Sequence, residues 1–315
     1  MSELIHTYLT NPSTPGFNLP KNACDTHCHL FGPADIFPYS ESRNFTPVDA
    51  PKEKLFALHQ QLGIERCVIV QSALHGFDNA VVVDAMQEKK RTYLGVALSS
   101  AKTDATTLEK MYLQGFRGIR FNFMSHLKNS DTMEDILALT TRMAPLGMHL
   151  QVHFESKLIH ELGPQFKRSA VPVMIDHMAR VDASLGENHT DFRALMKLLE
   201  NPQFHVKVSG VDRIVKQWPY TDGVRLAKIL VDTYPSQCVW GTDWPHPNHH
   251  HIPDDGLLVN CIAQIADSPE KIRHIMVQNP EKFYESFFNL HNSLTPSIET
   301  IKDGNYVQLY NQFLE

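Results

Sequence analysis

Ala23-Cys24-Asp25-Thr26-His27-Cys28-His29 is the stretch on which the fold turns. In an extended strand, alternate side chains share a face, so His27 and His29 project together. Asp25 has the same parity, which predicts one inward polar row of Asp25, His27 and His29. Apolar strands bury their side chains, so a polar row inside one demands a reason. Metal ligation is the first reason to test, and a satisfied core hydrogen bond is the plain alternative. The pair alone does not choose between them.

Working outward, the run 23–29 is the first of eight short apolar runs. The others are Arg66–Ser72, Tyr93–Leu98, Arg117–Asn122, Met148–Phe154, Val171–His177, Phe204–Ser209 and Gln237–Asp243. Between them lie amphipathic stretches of helical length: Lys52–Leu62, Asn79–Lys89, Ala105–Leu113, Met133–Met143, Lys157–Leu162, Phe192–Leu199 and Gly223–Thr233, with Leu257–Ile265 and Pro269–Val277 after the last strand. In the first of these, Leu55, Leu58, His59 and Leu62 fall at i, i+3, i+4 and i+7. Gly63, Gly115 and Gly147 stand where helix C-caps are expected. Eight strand–helix units predict a parallel sheet closed into a (β/α)8 TIM barrel over residues 22–288. Residues 1–21 read as an N-terminal arm. Residues 289–315 read as a C-terminal extension that packs outside the barrel or reaches a neighbouring subunit of a homo-oligomer. A doubly wound open sheet is the alternative architecture, but no Gly-x-Gly-x-x-Gly follows any strand.

The bulk properties exclude several classes. Apolar residues make up 42% of the 315, enough for a large core. The net charge of −6, without a basic run, argues against nucleic acid. The apolar runs are strand-sized, so no membrane helix is expected, and the N-terminus lacks the pattern of a signal peptide. Five cysteines (24, 28, 67, 238, 261) without close pairs read as free thiols in a reducing compartment, the cytoplasm.

In a TIM barrel the active site is built at the C-terminal ends of the strands. Those ends hold His27 and His29, Arg120, His153, His177 and Asp243. Four imidazoles and a carboxylate form the ligand set of zinc or a similar divalent metal, with His27, His29, His153, His177 and Asp243 as candidate ligands. Asp243 could also take a proton from water as a general base. His153 and His177, taken singly, could be core imidazoles. The run His249-His250-His251 reads as surface or rim. Arg120, Arg180 and Arg213 near strand ends point to a small anionic substrate, a carboxylate in the absence of a phosphate loop. The alternative is that they pair with Asp176 or Asp212.

At this point the chain resembles the amidohydrolase superfamily, in its amidohydrolase-2 branch, and there the 2-pyrone-4,6-dicarboxylate lactonase-like hydrolases. The likeness runs from about residue 22 to 286 and is carried by Asp25-Thr26-His27-Cys28-His29-Leu30-Phe31-Gly32-Pro33, Gly118-Ile119-Arg120-Phe121-Asn122-Phe123, Ile175-Asp176-His177-Met178, Gly241-Thr242-Asp243-Trp244-Pro245-His246-Pro247, Ile252-Pro253-Asp254-Asp255-Gly256 and Asn279-Pro280. It implies lactone opening by water activated at Asp243 with His27 and His29, while His177 polarises the carbonyl. Arg120, Arg180 and Arg213 match positions that hold substrate carboxylates. The chain also departs from the pattern. His153 replaces a strand-five tyrosine, and the lactonase with that tyrosine resembles a metal-independent exception. His126 replaces a second arginine, and Phe45 and Ala73 stand where a tyrosine and a serine contact substrate. These exchanges predict a related carboxylated lactone, muconolactone-like or sugar-acid-like, met in the catabolism of aromatic or related acids. They also predict a divalent metal, zinc first, with metal-free catalysis as the alternative. Two further functions stay open: a zinc-dependent decarboxylase of an unsaturated carboxylate, and a non-catalytic small-molecule binder.

Overall fold

The computed structural model describes residues 4–125, 131–249 and 251–284. Eight strands form: β1 Cys24–Cys28, β2 Arg66–Val70, β3 Tyr93–Leu98, β4 Phe116–Phe123, β5 His149–Phe154, β6 Val173–Ile175, β7 Phe204–Lys207 and β8 Cys238–Val239. All pairings are parallel, and the strands follow one another in chain order. The ring closes through Thr26 N–H to Trp240 O (3.0 Å), Asp243 N–H to His27 O (2.7 Å) and His29 N–H to Trp244 O (2.6 Å). This is the (β/α)8 barrel that the alternation predicts.

The helices α1 Lys52–Leu62, α2 Ala80–Glu88, α3 Ala105–Gln114, α4 Met133–Met143, α5 Ile159–Phe166, α6 Thr190–Leu199, α7 Val211–Ile214, α8 Thr221–Thr233 and α9 Asp255–Ile265 surround it. In α1 the buried positions are the predicted Leu55, Leu58, His59 and Leu62, and Gly63 ends the helix at φ 77°. Asp104, Thr132 and Asp254 cap α3, α4 and α9 by accepting backbone N–H bonds. Two short helices follow, α10 Pro269–Arg273 and α11 Asn279–Phe283. Behind α11, Tyr284 plugs the barrel floor against Cys24, Val68, Val70, Leu94 and Val96.

The N-terminal arm is tied down along its length. Ile5 N–H donates to Thr46 O at 2.9 Å, Ser13 Oγ donates to Asp254 at 2.6 Å, and Gly16 N–H donates to Asn260 Oδ1 at 2.6 Å. The predicted C-terminal extension lies outside the described residues. No described helix is long and apolar enough to cross a membrane. The five cysteines are free and buried.

One expectation about β1 is corrected. Three steps along β1, from Asp25 to Cys28, oppose two along β2, from Cys67 to Ile69. This bulge adds one residue and so reverses the facing of everything after it. Asp25 therefore turns to the helix layer, where its Oδ2 meets His59 Nε2 of α1 at 3.2 Å and accepts from Thr242 Oγ1 at 2.6 Å. Asp25 anchors β1 to the end of β8. The inward row is His27 and His29 alone.

Candidate active site

Four ligand-type atoms converge above the barrel floor. His27 Nε2 and His29 Nε2 lie 3.2 Å apart. Asp243 Oδ1 lies 3.6 Å from His27 Nε2, 3.3 Å from His29 Nε2 and 3.7 Å from His177 Nε2. All four side chains are buried. The far side of each ring is held. His29 Nδ1 is 2.7 Å from the Val70 carbonyl, so it carries the proton and leaves Nε2 a lone pair. His177 Nδ1 lies 3.1 Å from Ser209 Oγ, whose hydroxyl can donate or accept. His27 Nδ1 sits between Lys207 Nζ at 3.1 Å and Asp176 Oδ1 at 3.3 Å.

Burial sets the charge states. It pushes His27 down to about 3, with the Lys207 ammonium adding to the effect. Burial likewise lowers His29 and His177, so all three imidazoles are neutral at pH 7. For Asp243, burial works upward but Arg213 and then His177 outweigh it, holding the carboxyl well below the usual carboxylate range. An ionised carboxylate thus faces three neutral rings.

Tetrahedral metal–nitrogen bonds of about 2.0–2.1 Å place ligand atoms about 3.3–3.4 Å apart, and the separations among His27, His29 and Asp243 span 3.2 to 3.6 Å. Asp243 Oδ1 is buried and makes no hydrogen bond, an orphan aimed at the three ring nitrogens. His27, His29 and Asp243 therefore fit a divalent ion, while His177, 3.7 Å from Asp243, groups with His27 and Asp176.

The remaining candidates divide. His153 packs edge-on to His177 with ring centroids 5.6 Å apart, and its Nδ1 lies 3.2 Å from Asn122 Oδ1. Its buried Nε2 has no partner. It joins none of the described groups of three ligand atoms lying within 4.8 Å of one another. Arg120, Arg180, Arg213 and Ala73 line the same cavity as His29, His153, His177 and Asp243. Arg120 donates from Nε to Asp176 Oδ2 at 2.8 Å, which is the pairing alternative. Arg213 pairs through Nε with Asp243 rather than Asp212 and donates to Pro247 O at 3.1 Å. Phe45 lies instead on an adjoining cavity with Asn44 and His246. His126 falls outside the described residues. His249 is not at the rim as expected. Its side chain is 4% exposed and lies 2.6 Å from Asp212.

A profile of the amidohydrolase family matches residues 24–285. The chain belongs to the amidohydrolase family. It is an enzyme of that superfamily. It is 37% identical to a 2-pyrone-4,6-dicarboxylate hydrolase of Comamonas testosteroni, over 88% of this chain and 94% of that one. It is 36% identical to a 4-sulfomuconolactone hydrolase of Hydrogenophaga intermedia, over 85% and 90%. A crystal structure of a probable 2-pyrone-4,6-dicarboxylic acid hydrolase from Acinetobacter baumannii, with citric acid bound, superposes with a TM-score of 0.76. That pair covers 84% of this chain and 99% of the other at 24% identity, a likeness of fold.

In this amidohydrolase the backbone strain gathers where the site is. His177, Met178, Ala179 and Arg180 all have positive φ, from 46° to 55°, and Asp243 has φ 63°. Left-handed backbone costs non-glycine residues roughly 1–2 kcal/mol each. Here it turns His177 inward and Arg180 toward the cavity within four residues.

Sequence reasoning did not single out the polar layer under the site. Lys207, wholly buried, donates to Thr26 O at 2.8 Å and Gln151 Oε1 at 3.0 Å, and Gln151 Nε2 donates to Asp176 Oδ2 at 3.2 Å. The signal was available: Lys207 is a cation inside the apolar run Phe204–Ser209.

Proposed function

We propose that this amidohydrolase opens a carboxylated lactone by adding water to the ring ester carbonyl. The observation that carries the reading is the Asp243 carboxylate, ionised and set among three neutral imidazoles in a cavity rimmed by arginine. Asp243 takes a proton from the attacking water, whose oxygen bonds to the carbonyl carbon, and returns that proton to the departing ring oxygen. The ester C–O bond breaks, the new carboxyl ionises, and one proton leaves per ring opened. His177 stands across from Asp243, and because Ser209 can donate or accept, either ring tautomer is open to it. Arg213 holds Asp243 from one side. Arg180, whose guanidinium burial pushes down to about 10, supplies a cation for a substrate carboxylate.

His27, His29 and Asp243 would hold the divalent ion, zinc first, with His177 beside Asp243 as a further ligand. When bound, such an ion supplies Lewis-acid polarisation and a water of pKa about 7. His153, which lines the same cavity and has an unpartnered Nε2, reads as a substrate contact or an additional ligand. The relatives named above act on a pyrone dicarboxylate and a sulfomuconolactone, which supports an anionic lactone in the catabolism of aromatic or related acids. The free, buried thiols support a cytoplasmic enzyme.

The test is a panel of carboxylated lactones, followed by proton release with zinc, with manganese and after chelation. Ring opening of carboxylated but not of neutral lactones is expected, with the rate lost on chelation. Full activity in chelated, metal-free protein sinks the metal half. No ring opening anywhere on the panel sinks the whole reading.

A further inference from the structure

A second cluster of ligand-type side chains lies outside the site just described. Asp212 of α7 and His249 and His251 of the segment after β8 place one potential ligand atom each within 4.8 Å of one another. Asp212 is 1% exposed, and neither of its carboxylate oxygens makes a hydrogen bond. His249 Nε2 comes within 2.6 Å of Asp212 Oδ2 without hydrogen-bond alignment, so it too is buried and unsatisfied. An ionised carboxylate left in that state is costly unless a cation completes it. Arg213, the neighbouring cation, is already engaged by Asp243 and Pro247 O. Tyr220 Oη lies 3.2 Å from His251 Nε2 and fixes that ring. The cluster borders a cavity of about 310 Å³ lined also by His6, Asn44 and Ile252, which gives an ion a way in.

We propose that Asp212, His249 and His251 form a second site for a divalent transition-metal ion, distinct from the His27–His29–His177–Asp243 set. Two imidazoles and a carboxylate suit zinc or a neighbouring borderline ion, with water completing the coordination. The ion ties α7, which carries Arg213, to the segment after β8, which carries the Pro247 carbonyl that Arg213 bonds. It is a positioning site: it holds the arginine that holds Asp243.

The experiment is equilibrium dialysis of chelator-stripped full-length protein against micromolar free zinc, counting zinc per chain by plasma emission. The wild type is compared with His249→Gln, His251→Gln and Asp243→Asn. Glutamine keeps a polar group beside Asp212 while removing the imidazole, and circular dichroism checks the fold. Each histidine variant is expected to bind one zinc fewer than the wild type, and zinc is expected to raise Tm less in them than in the wild type. Because the count is a difference between variants, it holds whether or not the barrel-mouth set binds an ion. The same zinc count in wild type, His249→Gln and His251→Gln overturns the proposal, as does a site that fills only at millimolar zinc.

Discussion

Asp176 is the anion on which the buried layer beneath the site depends, and replacing it with asparagine tests that layer. Its Oδ2 accepts from Arg120 Nε at 2.8 Å and Gln151 Nε2 at 3.2 Å, while Oδ1 faces His27 Nδ1 at 3.3 Å and Lys207 Nζ at 3.6 Å. Asp176→Asn keeps the shape and removes the charge, leaving Arg120 and Lys207 as buried cations without a carboxylate. Breaking a buried ionic pair from one side costs about 3–5 kcal/mol. At about 2–4 °C per kcal/mol for a domain of this size, Tm should fall by roughly 6–20 °C. Scanning calorimetry or thermal circular dichroism reads this directly. A second variant, Asp176→Asn with Lys207→Met, removes one orphaned cation and fills its volume with an apolar chain. It should recover on the order of 1–2 kcal/mol relative to the sum of the single changes, a coupling normal for residues in contact. If Asp176→Asn melts within about 2 °C of the wild type, or the two changes simply add, the layer is not the coupled network described here.

Asp243→Asn should lower kcat by about 10²–10⁴, the usual contribution of a general base, with KM changed only a few-fold because asparagine can still accept from Arg213. Steady-state kinetics on the best lactone of the panel checks this, and a kcat within tenfold of the wild type removes Asp243 from the role. Arg180→Met should raise KM for a carboxylated lactone by an amount equivalent to about 1.5–3 kcal/mol, the range for a hydrogen bond to a charged group, and leave neutral lactones unaffected. An unchanged KM contradicts that contact. Stability should fall with acid: burial pushes both His27 and His149 down to about 3 in the folded chain, against 6.5 unfolded. Between those values the unfolded chain takes up protons that the folded one refuses, so unfolding is favoured as pH drops through the window. Tm at pH 5 should be lower than at pH 7, and equal values refute the burial of neutral rings.

Much of the fold was legible because a parallel barrel buries its strands on both faces and writes them as short apolar runs. All eight runs became strands, and the periodicity of α1 matched its buried face. What failed was local. The β1 bulge is a register shift against β2, which no strand-level pattern records, and it moved Asp25 out of the site while leaving the two histidines in it. The run Val171–His177 shrank to Val173–Ile175, and at its end the chain leaves the ladder at His177 for a left-handed turn. The four-residue α7 is too short to carry a helical period, yet it places Arg213 and Asp212. Of the site, His27, His29, His177 and Asp243 were readable as polar residues at the ends of predicted strands, as was His153, which joins none of the described ligand groups. The Arg120–Asp176 pair was one of the alternatives open in the sequence, whereas the pairing of Arg213 with Asp243 rather than Asp212 was not legible there. His249 looked like rim because a polar loop gives no sign that it folds back on a buried carboxylate.

The central claim is that the strand-end cluster activates water against a lactone carbonyl. Its most direct test follows acid and carbon dioxide together while the zinc-loaded wild type consumes a carboxylated lactone. One proton should be released per ring opened, with no carbon dioxide, and Asp243→Asn should lose both ring opening and acid. Carbon dioxide released without matching acid, or acid release undiminished in Asp243→Asn, would contradict it.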